Sequence, residues 1–278
     1  MLATMFCFIS LDAIMKYLLL SYPLVEVTWA RFFFATVMAS AIAGTDLATV
    51  LRSRTPHMQV GRSLLLMLTT GVFNAGVRLV PLATATSVMF MSPLLVTLLS
   101  IPLLKERVRM RRWIGIGVGF VGAFVIVRPG IAGWNIGAML LVVAAFLNAN
   151  YQILTRKVRM HDPPMTSLFY TAAVGAVVTS LIVPFFWRWP STAGWLLFAA
   201  AGVMGGLGHL CLIQAFRRAP ASVVAPFSYS SVLWAAFYGW AIFGEWPDLW
   251  TWVGASLIIG SGLYIFHRER IRRHKELA

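Results

Sequence analysis

Long apolar segments, separated by short and mostly basic polar stretches, run along the whole 278-residue sequence. Each apolar segment has roughly the length of about 20 residues that an α-helix needs to cross the hydrocarbon core of a bilayer. The strands of a membrane barrel would instead give segments of about ten residues with alternating apolar and polar positions. The pattern predicts ten membrane-spanning helices, at 2–20, 24–44, 62–80, 84–104, 113–129, 135–156, 167–187, 194–216, 222–243 and 250–267.

The composition agrees with an all-α integral membrane protein. Hydrophobic residues make up 59% of the chain and charged residues 12%, and the mean hydropathy is +0.80. Soluble domains carry roughly 25% charged residues, so the lipid bilayer is the predicted surrounding of this chain. The two cysteines, Cys7 and Cys211, both lie in apolar segments, which favours packed hydrophobic side chains over a disulfide or a metal site.

The net charge of +14 comes from 23 Lys and Arg residues against 9 Asp and Glu residues. The basic residues lie mostly between the apolar segments, so nucleic-acid binding is not needed to explain them. If the N-terminus is cytoplasmic, 18 of the 23 fall in cytoplasmic loops or in the basic tail at 268–278, as the positive-inside rule requires. We therefore predict that both termini are cytoplasmic and that the protein is a multi-pass protein of the cytoplasmic (inner) membrane.

The two halves of the sequence repeat at one constant offset. Without a gap, VPLATATSVMFMSPLLVTLLSIPLLKERVRMRRWIG (80–115) aligns with APASVVAPFSYSSVLWAAFYGWAIFGEWPDLWTWVG (219–254). Identical residues coincide at this offset as Arg78 with Arg217, Pro81 with Pro220, Ser92 with Ser231, Glu106 with Glu245, Trp113 with Trp252 and Gly115 with Gly254. Each half has an odd number of spans, so the second copy must enter the membrane in the opposite orientation, as in the inverted repeats of secondary transporters. The predicted domains are 1–129 and 135–267.

Five-plus-five spans, a proline well upstream of a KER or GEW stretch, and a following tryptophan and glycine-rich span resemble the EamA-type transporters of the drug/metabolite transporter superfamily. The segment LDAIMKYLLLSYPLVEVTWARFFFA (11–35) is similar to the family's first two spans, including the Asp–Lys pair and an early arginine. The resemblance extends over nearly the whole chain and implies the fold and small-molecule transport, but no particular substrate. In one departure, the sequence begins almost directly in span one, as expected of a truncated or misassigned start.

Span one carries two opposite charges, Asp12 and Lys16, within FISLDAIMKYLLL (8–20). A charge at the bilayer centre costs about 2.5–3.5 kcal/mol on insertion scales, so such residues usually face a partner or a cavity. Asp12 and Lys16 are one helical turn apart and can pair, while Arg31 in span two offers Asp12 a second partner. Two interpretations stay open: these residues bind substrate or a coupling proton, or they lock helices together while Lys16 extends to the interface. Glu26 is interpreted as a solvated charge at the start of span two.

Uncharged polar residues and one histidine occupy other spans. They include Asn74, Asn150, Tyr151 and His209. At the same offset between the halves Tyr151 corresponds to Asp12, so polar residues recur at equivalent depth in both repeats, as a site at a repeat interface requires. His209 is a candidate proton carrier because imidazole titrates near neutral pH. The alternatives are a packed histidine and hydrogen bonds between helices, worth roughly 0.6 kcal/mol each.

Two prolines interrupt predicted spans at membrane depth. Pro93 in span four and Pro226 in span nine are predicted to break the helical hydrogen-bond ladder, and freed carbonyls are tolerated where they are buried or line a cavity. The same spans contain aromatic residues, among them Tyr229, that are able to stack on a planar substrate. Ordinary aromatic packing is an equal alternative for Tyr229.

These features together predict a secondary transporter that moves a small metabolite or drug-like molecule by alternating access around a polar cavity at the midplane, with proton coupling as one option. An intramembrane enzyme is the alternative, but no HExxH motif or paired intramembrane carboxylates are present in the sequence. A membrane scaffold would not need polar residues at the midplane. We expect no catalytic residues, no metal and no cofactor, and a monomer or homodimer.

Overall fold

A computed structural model describes residues 1–104, 110–128, 135–158, 161–218 and 224–277. These residues form helices and connecting loops, with no strand among them. The α-helices are α1 Leu2–Leu18, α2 Leu24–Ala43, α3 Leu47–Val50, α4 Pro56–Val77, α5 Leu82–Met89, α6 Met91–Leu104, α7 Met110–Val127, α8 Ile136–Val158, α9 Pro164–Ile182, α10 Thr192–Arg218, α11 Ser230–Phe243 and α12 Leu249–Leu277. Short 3-10 helices lie at Gly44–Asp46, Val183–Phe186 and Ala225–Tyr229.

Six helical segments in the described part of the chain are long and apolar enough to cross a membrane. They are Leu24–Ala43, Pro56–Val77, Leu82–Ile101, Ile136–Val158, Pro164–Phe186 and Thr192–Arg218. Two shorter apolar helices, Trp113–Val127 and Leu249–Tyr264, fall on predicted spans as well. The chain is therefore an all-helical, multi-pass membrane protein.

The predicted fourth span is two helices, α5 and α6, that meet at Phe90. Pro93 lies one turn beyond this junction. Proline has no N–H to donate to the carbonyl four residues earlier, and its ring clashes with that carbonyl. The carbonyl in question belongs to Met89, the last residue of α5. The backbone around Pro226 forms the 3-10 helix Ala225–Tyr229, which leads into α11.

The helices pack in pairs that are related by the offset between the two halves. Helix α1 packs on α10, and α4 packs on α8. With α1 equivalent to α8 and α4 equivalent to α10, these two pairs exchange with one another. Helices α2 and α9 pack together, as do α7 and α12, so each of these helices contacts its own counterpart. A two-fold relation between the halves produces such a pattern.

The contact between α7 and α12 depends on glycine. A Cβ atom on Gly122 would lie 2.7 Å from the carbonyl oxygen of Gly254, and one on Gly254 would lie 2.5 Å from the carbonyl oxygen of Gly122. The two backbones therefore approach as closely as small residues permit in membrane helices.

The hydrophobic core lies where helices from both halves meet. It includes Leu11 and Met15 of α1, Leu141 of α8, Phe198 of α10 and Ala235 of α11, all of them buried. Polar side chains beside this core form the candidate site.

Candidate functional site

Asp12 and Arg31 lie at a similar depth on neighbouring elements. Asp12 is about 9 Å from the end of α1, and Arg31 is about 10 Å from the start of α2, at about 1.5 Å of helix per residue. The loop at 19–23 joins these two helix ends, so both distances are measured from the same end of the bundle, which we call the α1–α2 end. The Asp12 carboxylate and the Arg31 guanidinium interact electrostatically.

Neither charge has a direct partner in the part of the chain that the structure describes. Among these residues, Asp12 and Arg31 make no side-chain hydrogen bond and no ion pair with N–O separation within 4.0 Å. The Arg31 guanidinium lies 5.7 Å from the centre of the Phe32 ring. Both side chains are half-buried, although their neighbours Leu11, Ala13 and Ala30 are fully buried. Their hydrogen-bonding atoms are therefore not used by other described side chains or backbone groups.

Lys16 pairs with Glu245 and not with Asp12. Its Nζ donates to both Glu245 carboxylate oxygens, at 2.8 and 2.6 Å, and to the carbonyl oxygen of Val80 at 2.8 Å. The backbone N–H of Leu82 donates to the same carboxylate at 3.3 Å. Gly244 takes a left-handed conformation (φ 65°) after α11, which only glycine adopts at little cost. We call this set the Lys16 latch; it joins α1 to the α4–α5 and α11–α12 loops at the α1–α2 end.

The interpretation of Glu26 as a solvated charge is wrong. Glu26 is fully buried in the first turn of α2. Its Oε2 accepts a hydrogen bond of 3.1 Å from the backbone N–H of Arg188, and the Arg188 guanidinium donates to the carbonyl of Ser21 at 2.6 Å. A carboxylate is also favoured in the first turn of a helix by the helix dipole, so burial is tolerated there.

Arg62 is a buried member of the site, although it is one of the 18 basic residues that the positive-inside rule assigned to the cytoplasmic side. It lies in the second turn of α4, and 2% of its surface is exposed. The guanidinium donates to the Ser167 carbonyl and the Thr171 hydroxyl, each at 2.5 Å, and to the Thr155 hydroxyl at 3.3 Å. It also lies 5.3 Å from the centre of the Tyr151 ring. The predicted third span begins at Arg62, whereas α4 begins six residues earlier, at Pro56, so Arg62 lies within the helix and not at its end.

Arg62 interacts electrostatically with the predicted residues Tyr151 and His209, and Arg31 interacts with the same two residues. Together with Asp12 they form what we call the polar cluster, which draws on α1, α2, α4, α8 and α10. The Nδ1 atom of His209 is 2.9 Å from the Gly205 carbonyl oxygen. A carbonyl only accepts, so Nδ1 donates and leaves Nε2 as an acceptor when the ring is neutral.

Other predicted residues lie outside the polar cluster. Asn74 is buried and donates to the Thr28 hydroxyl at 3.2 Å, and Asn150 donates to the Phe146 carbonyl of its own helix at 2.9 Å. The Tyr229 ring lies 5.0 Å from the ring of Phe90. The side chain of Pro226 lies outside the described residues.

Asp162 organises the opposite end of the bundle, where α4 and α9 begin. Its carboxylate accepts hydrogen bonds from the Ser53 hydroxyl at 2.6 Å, the Arg54 backbone at 2.7 Å, the Gln59 amide at 2.9 Å and the Thr55 hydroxyl at 3.0 Å. Burial alone would raise the pKa of Asp162, but these four hydrogen bonds together lower it to about 2. Asp162 is therefore an anion at neutral pH, and it also interacts electrostatically with Arg62.

The composition of the polar cluster is typical of a site that binds a ligand rather than of a site that catalyses a reaction. It presents charges and hydrogen-bonding atoms from five helices inside an apolar bundle. Among the residues that the structure describes, no group of three or more His, Cys, Asp or Glu side chains is arranged to hold a metal ion.

Comparisons with known proteins agree with such a role. The EamA-like transporter family matches residues 1–128 and again 135–266. The chain is 30% identical to an S-adenosylmethionine uptake transporter of Rickettsia felis, over 93% of this chain and 88% of the relative. It is 32% identical to a riboflavin transporter of Vibrio cholerae over 72% and 68%, and 27% identical to a pseudopaline exporter of Pseudomonas aeruginosa over 91% and 90%.

A crystal structure with 20% sequence identity superposes with a TM-score of 0.64 and covers 98% of both chains, so the fold is shared. With both halves of the sequence matched by the same family and the fold shared with a solved structure, this chain belongs to the EamA-like transporter family, within the drug/metabolite transporters.

Proposed function

We propose that this protein is a secondary transporter that moves a small metabolite across the cytoplasmic membrane by alternating access around the polar cluster. The observation that carries the proposal is the pair Asp12 and Arg31: two half-buried charges inside an apolar bundle, without direct partners among the described residues. Intramembrane charges are costly and usually mark a substrate or ion pathway.

The proposed architecture is ten spans in two inverted repeats, with both termini in the cytoplasm. The repeat in the sequence and the exchange of the pairs α1–α10 and α4–α8 support it. In transporters built from inverted repeats, the substrate site lies where the repeats meet. The polar cluster takes α1, α2 and α4 from the first half and α8 and α10 from the second.

The two ends of the bundle are closed by different contacts. The Lys16 latch closes the α1–α2 end, which is the extracytoplasmic end in the proposed orientation. The Asp162 hydrogen bonds, which join the segment before α4 to the loop before α9, hold the cytoplasmic end. Alternating access requires that these two closures open in turn while the polar cluster remains between them.

The relatives support a small polar metabolite as substrate, because they are named for S-adenosylmethionine, riboflavin and pseudopaline. They include uptake transporters and an exporter, so the direction of transport follows from the gradient and the coupling. We propose that Asp12 or His209 couples transport to protons, since both are ionisable groups of the polar cluster.

The test is transport by the purified protein in proteoliposomes. A thermal-shift screen that begins with S-adenosylmethionine and riboflavin selects the compound, and its radiolabelled form is then followed into the vesicles. We expect saturable uptake that an uncoupler changes. Uptake no faster than in protein-free vesicles, for every compound that shifts the melting temperature, would contradict the proposal.

The matched variants are Asp12→Asn and Asp46→Asn. Asp46 is an exposed aspartate in the 3-10 helix after α2, and it is not a member of the polar cluster. We expect Asp12→Asn to lower the uptake rate at least about tenfold while expression and melting temperature stay close to wild type, because it removes a charge that no described protein group pairs with directly. Asp46→Asn should leave uptake unchanged. Equal uptake by the two variants would return Asp12 to a structural role.

A further inference from the structure

We propose that Asp12 and Arg31 together bind a zwitterionic head group, with a ligand ammonium on the Asp12 carboxylate and a ligand carboxylate on the Arg31 guanidinium, as in an α-amino acid. This inference rests on the proposed transport function and narrows its substrate to compounds that carry both groups on one end.

The first step is the balance of charges among the described residues. Lys16 is bonded to Glu245, and Arg128 to Asp248. Arg62 has acceptors from Ser167, Thr155 and Thr171, and it interacts electrostatically with Tyr151 and Asp162. In the polar cluster this leaves Asp12 and Arg31, which cancel in total charge but remain separate in space. The complementary ligand is neutral overall and carries both signs.

The second step is the separation between the two groups. Asp12 and Arg31 interact electrostatically, yet no pair of their nitrogen and oxygen atoms lies within 4.0 Å. A direct ion pair would use up the hydrogen-bonding capacity of both side chains. A gap instead allows each side chain to bond to a group placed between them, and in an α-amino acid the ammonium and the carboxylate are attached to the same carbon.

The third step is the chemistry of the two side chains. A guanidinium presents two parallel N–H groups that match the two oxygens of a carboxylate. The Asp12 carboxylate accepts from an ammonium and has no donor among the described residues that competes for it. Phe8, one turn before Asp12, packs edge-on against His209 at 5.0 Å. It provides an apolar surface next to the charges for the rest of the ligand.

A ligand that offers only one of the two charges would leave the other protein charge without a counter-charge inside the apolar bundle. Truncation of one partner of a buried charge pair is strongly unfavourable, because the other charge stays buried and unpaired. We therefore expect a ligand that lacks either its amine or its carboxylate to bind at least about 30-fold more weakly, which corresponds to about 2 kcal/mol.

The experiment measures binding by titration calorimetry on the full chain in lipid nanodiscs. The probes are the twenty L-amino acids, S-adenosylmethionine, its decarboxylated form and its deaminated 2-oxo acid form, with riboflavin as a ligand that carries no zwitterion. We expect at least one zwitterion to bind. If S-adenosylmethionine is that ligand, both of its truncated forms should bind at least about 30-fold more weakly; for an amino acid, the corresponding amine and 2-oxo acid replace them.

Two variants separate the two halves of the site. Arg31→Gln should lose affinity for the zwitterion but bind the decarboxylated form at least as tightly as wild type does, because no unmatched guanidinium remains in the variant. Asp12→Asn should do the same for the deaminated form. The exposed residues Arg78 and Asp46 provide matched charge-removing controls, Arg78→Gln and Asp46→Asn, which should bind like wild type.

Three outcomes overturn the inference. The first is that no zwitterion in the panel binds to protein that keeps its wild-type melting temperature. The second is that the truncated forms bind as tightly as the zwitterion. The third is that both variants lose affinity for all ligands equally, which indicates a structural role for the two charges. Riboflavin uptake by the same protein in proteoliposomes would leave the proposed transport function standing in each case.

Discussion

The charged side chains inside the bundle are of two kinds. Lys16 and Arg62 have several protein partners at hydrogen-bond distance, whereas Asp12 and Arg31 have none among the described residues. The first kind stabilises the fold, because a buried charge that loses its partner is very unfavourable. The second kind costs stability, and we propose that a ligand accounts for its presence.

Removal of one partner of the Lys16 latch should destabilise the protein. Glu245→Gln leaves the Lys16 ammonium buried without its counter-charge, and such changes commonly cost about 3–5 kcal/mol. We expect a clearly lower melting temperature in detergent for Glu245→Gln and for Lys16→Met. The double variant should recover much of the loss, since no unpaired charge remains. Additive losses in the double variant would show that the two residues do not act as a pair.

The Asp162 carboxylate should make stability depend on pH in the acid range. Its pKa is about 2 in the folded protein and 3.8 ordinarily, so the folded state binds the proton less readily than the unfolded state. The contribution is therefore complete above about pH 4 and is lost as the pH falls towards 2. We expect the melting temperature of wild type to fall over this window, and that of Asp162→Asn to fall less. Parallel curves for the two proteins would contradict this assignment.

The candidate site could be predicted from the sequence only in part. Asp12 and Arg31 were found because a charge in an apolar segment is visible in the sequence itself. Glu245 was found only as a repeat match, since its pairing with Lys16 joins residues 229 positions apart. Arg62 was missed because a positive charge near the end of a span looks the same whether it faces water or a buried set of acceptors.

At the scale of helices, proline accounts for the break between α5 and α6, and glycine accounts for the close contact between α7 and α12. Pro93 explains the junction between α5 and α6, because it removes a helical hydrogen bond at a known position. Glycine-rich spans are typical of close helix packing, which accounts for the kind of contact that α7 and α12 make, but they do not predict which helices are partners. Which helices pack together depends on the topology of the whole chain, and the sequence of a single helix does not contain that information.

The glycine contact gives a prediction with a matched control. Gly122→Ala places a methyl group 2.7 Å from the Gly254 carbonyl, so α7 and α12 must move apart. Overpacking of this kind commonly costs about 1–3 kcal/mol. Gly117 lies on the same helix with nothing within 4 Å of its added Cβ, so Gly117→Ala should be neutral or slightly stabilising through helix propensity. We expect Gly122→Ala to melt at a lower temperature than Gly117→Ala; the reverse order would exclude close α7–α12 packing.

For the molecule as a whole, the repeat of the sequence and the exchange of helix pairs point to the same two-fold relation. The family match over 1–128 and 135–266 follows the same division of the chain. The number of spans and the orientation of the chain depend on the membrane as well as on the sequence, and both stay predictions.

Orientation is tested with reporters fused to each end of the chain. Ten spans and the positive-inside rule predict that both termini are cytoplasmic. We expect a reporter that is active only in the cytoplasm to be active at both ends, and one that needs export to be inactive at both. Termini on opposite sides would require an odd number of spans and would remove the inverted-repeat architecture.

The Lys16 latch also bears on how this chain can vary in evolution. Two of its contacts use the main chain, the carbonyl of Val80 and the N–H of Leu82. Every amino acid supplies a carbonyl, and all but proline supply the N–H, so mutation at positions 80 and 82 leaves these contacts in place. Val80 and Leu82 are buried in the core, so natural relatives should exchange only apolar side chains at 80 and 82, without loss of the latch, while changes at 16 and 245 should occur together or be absent.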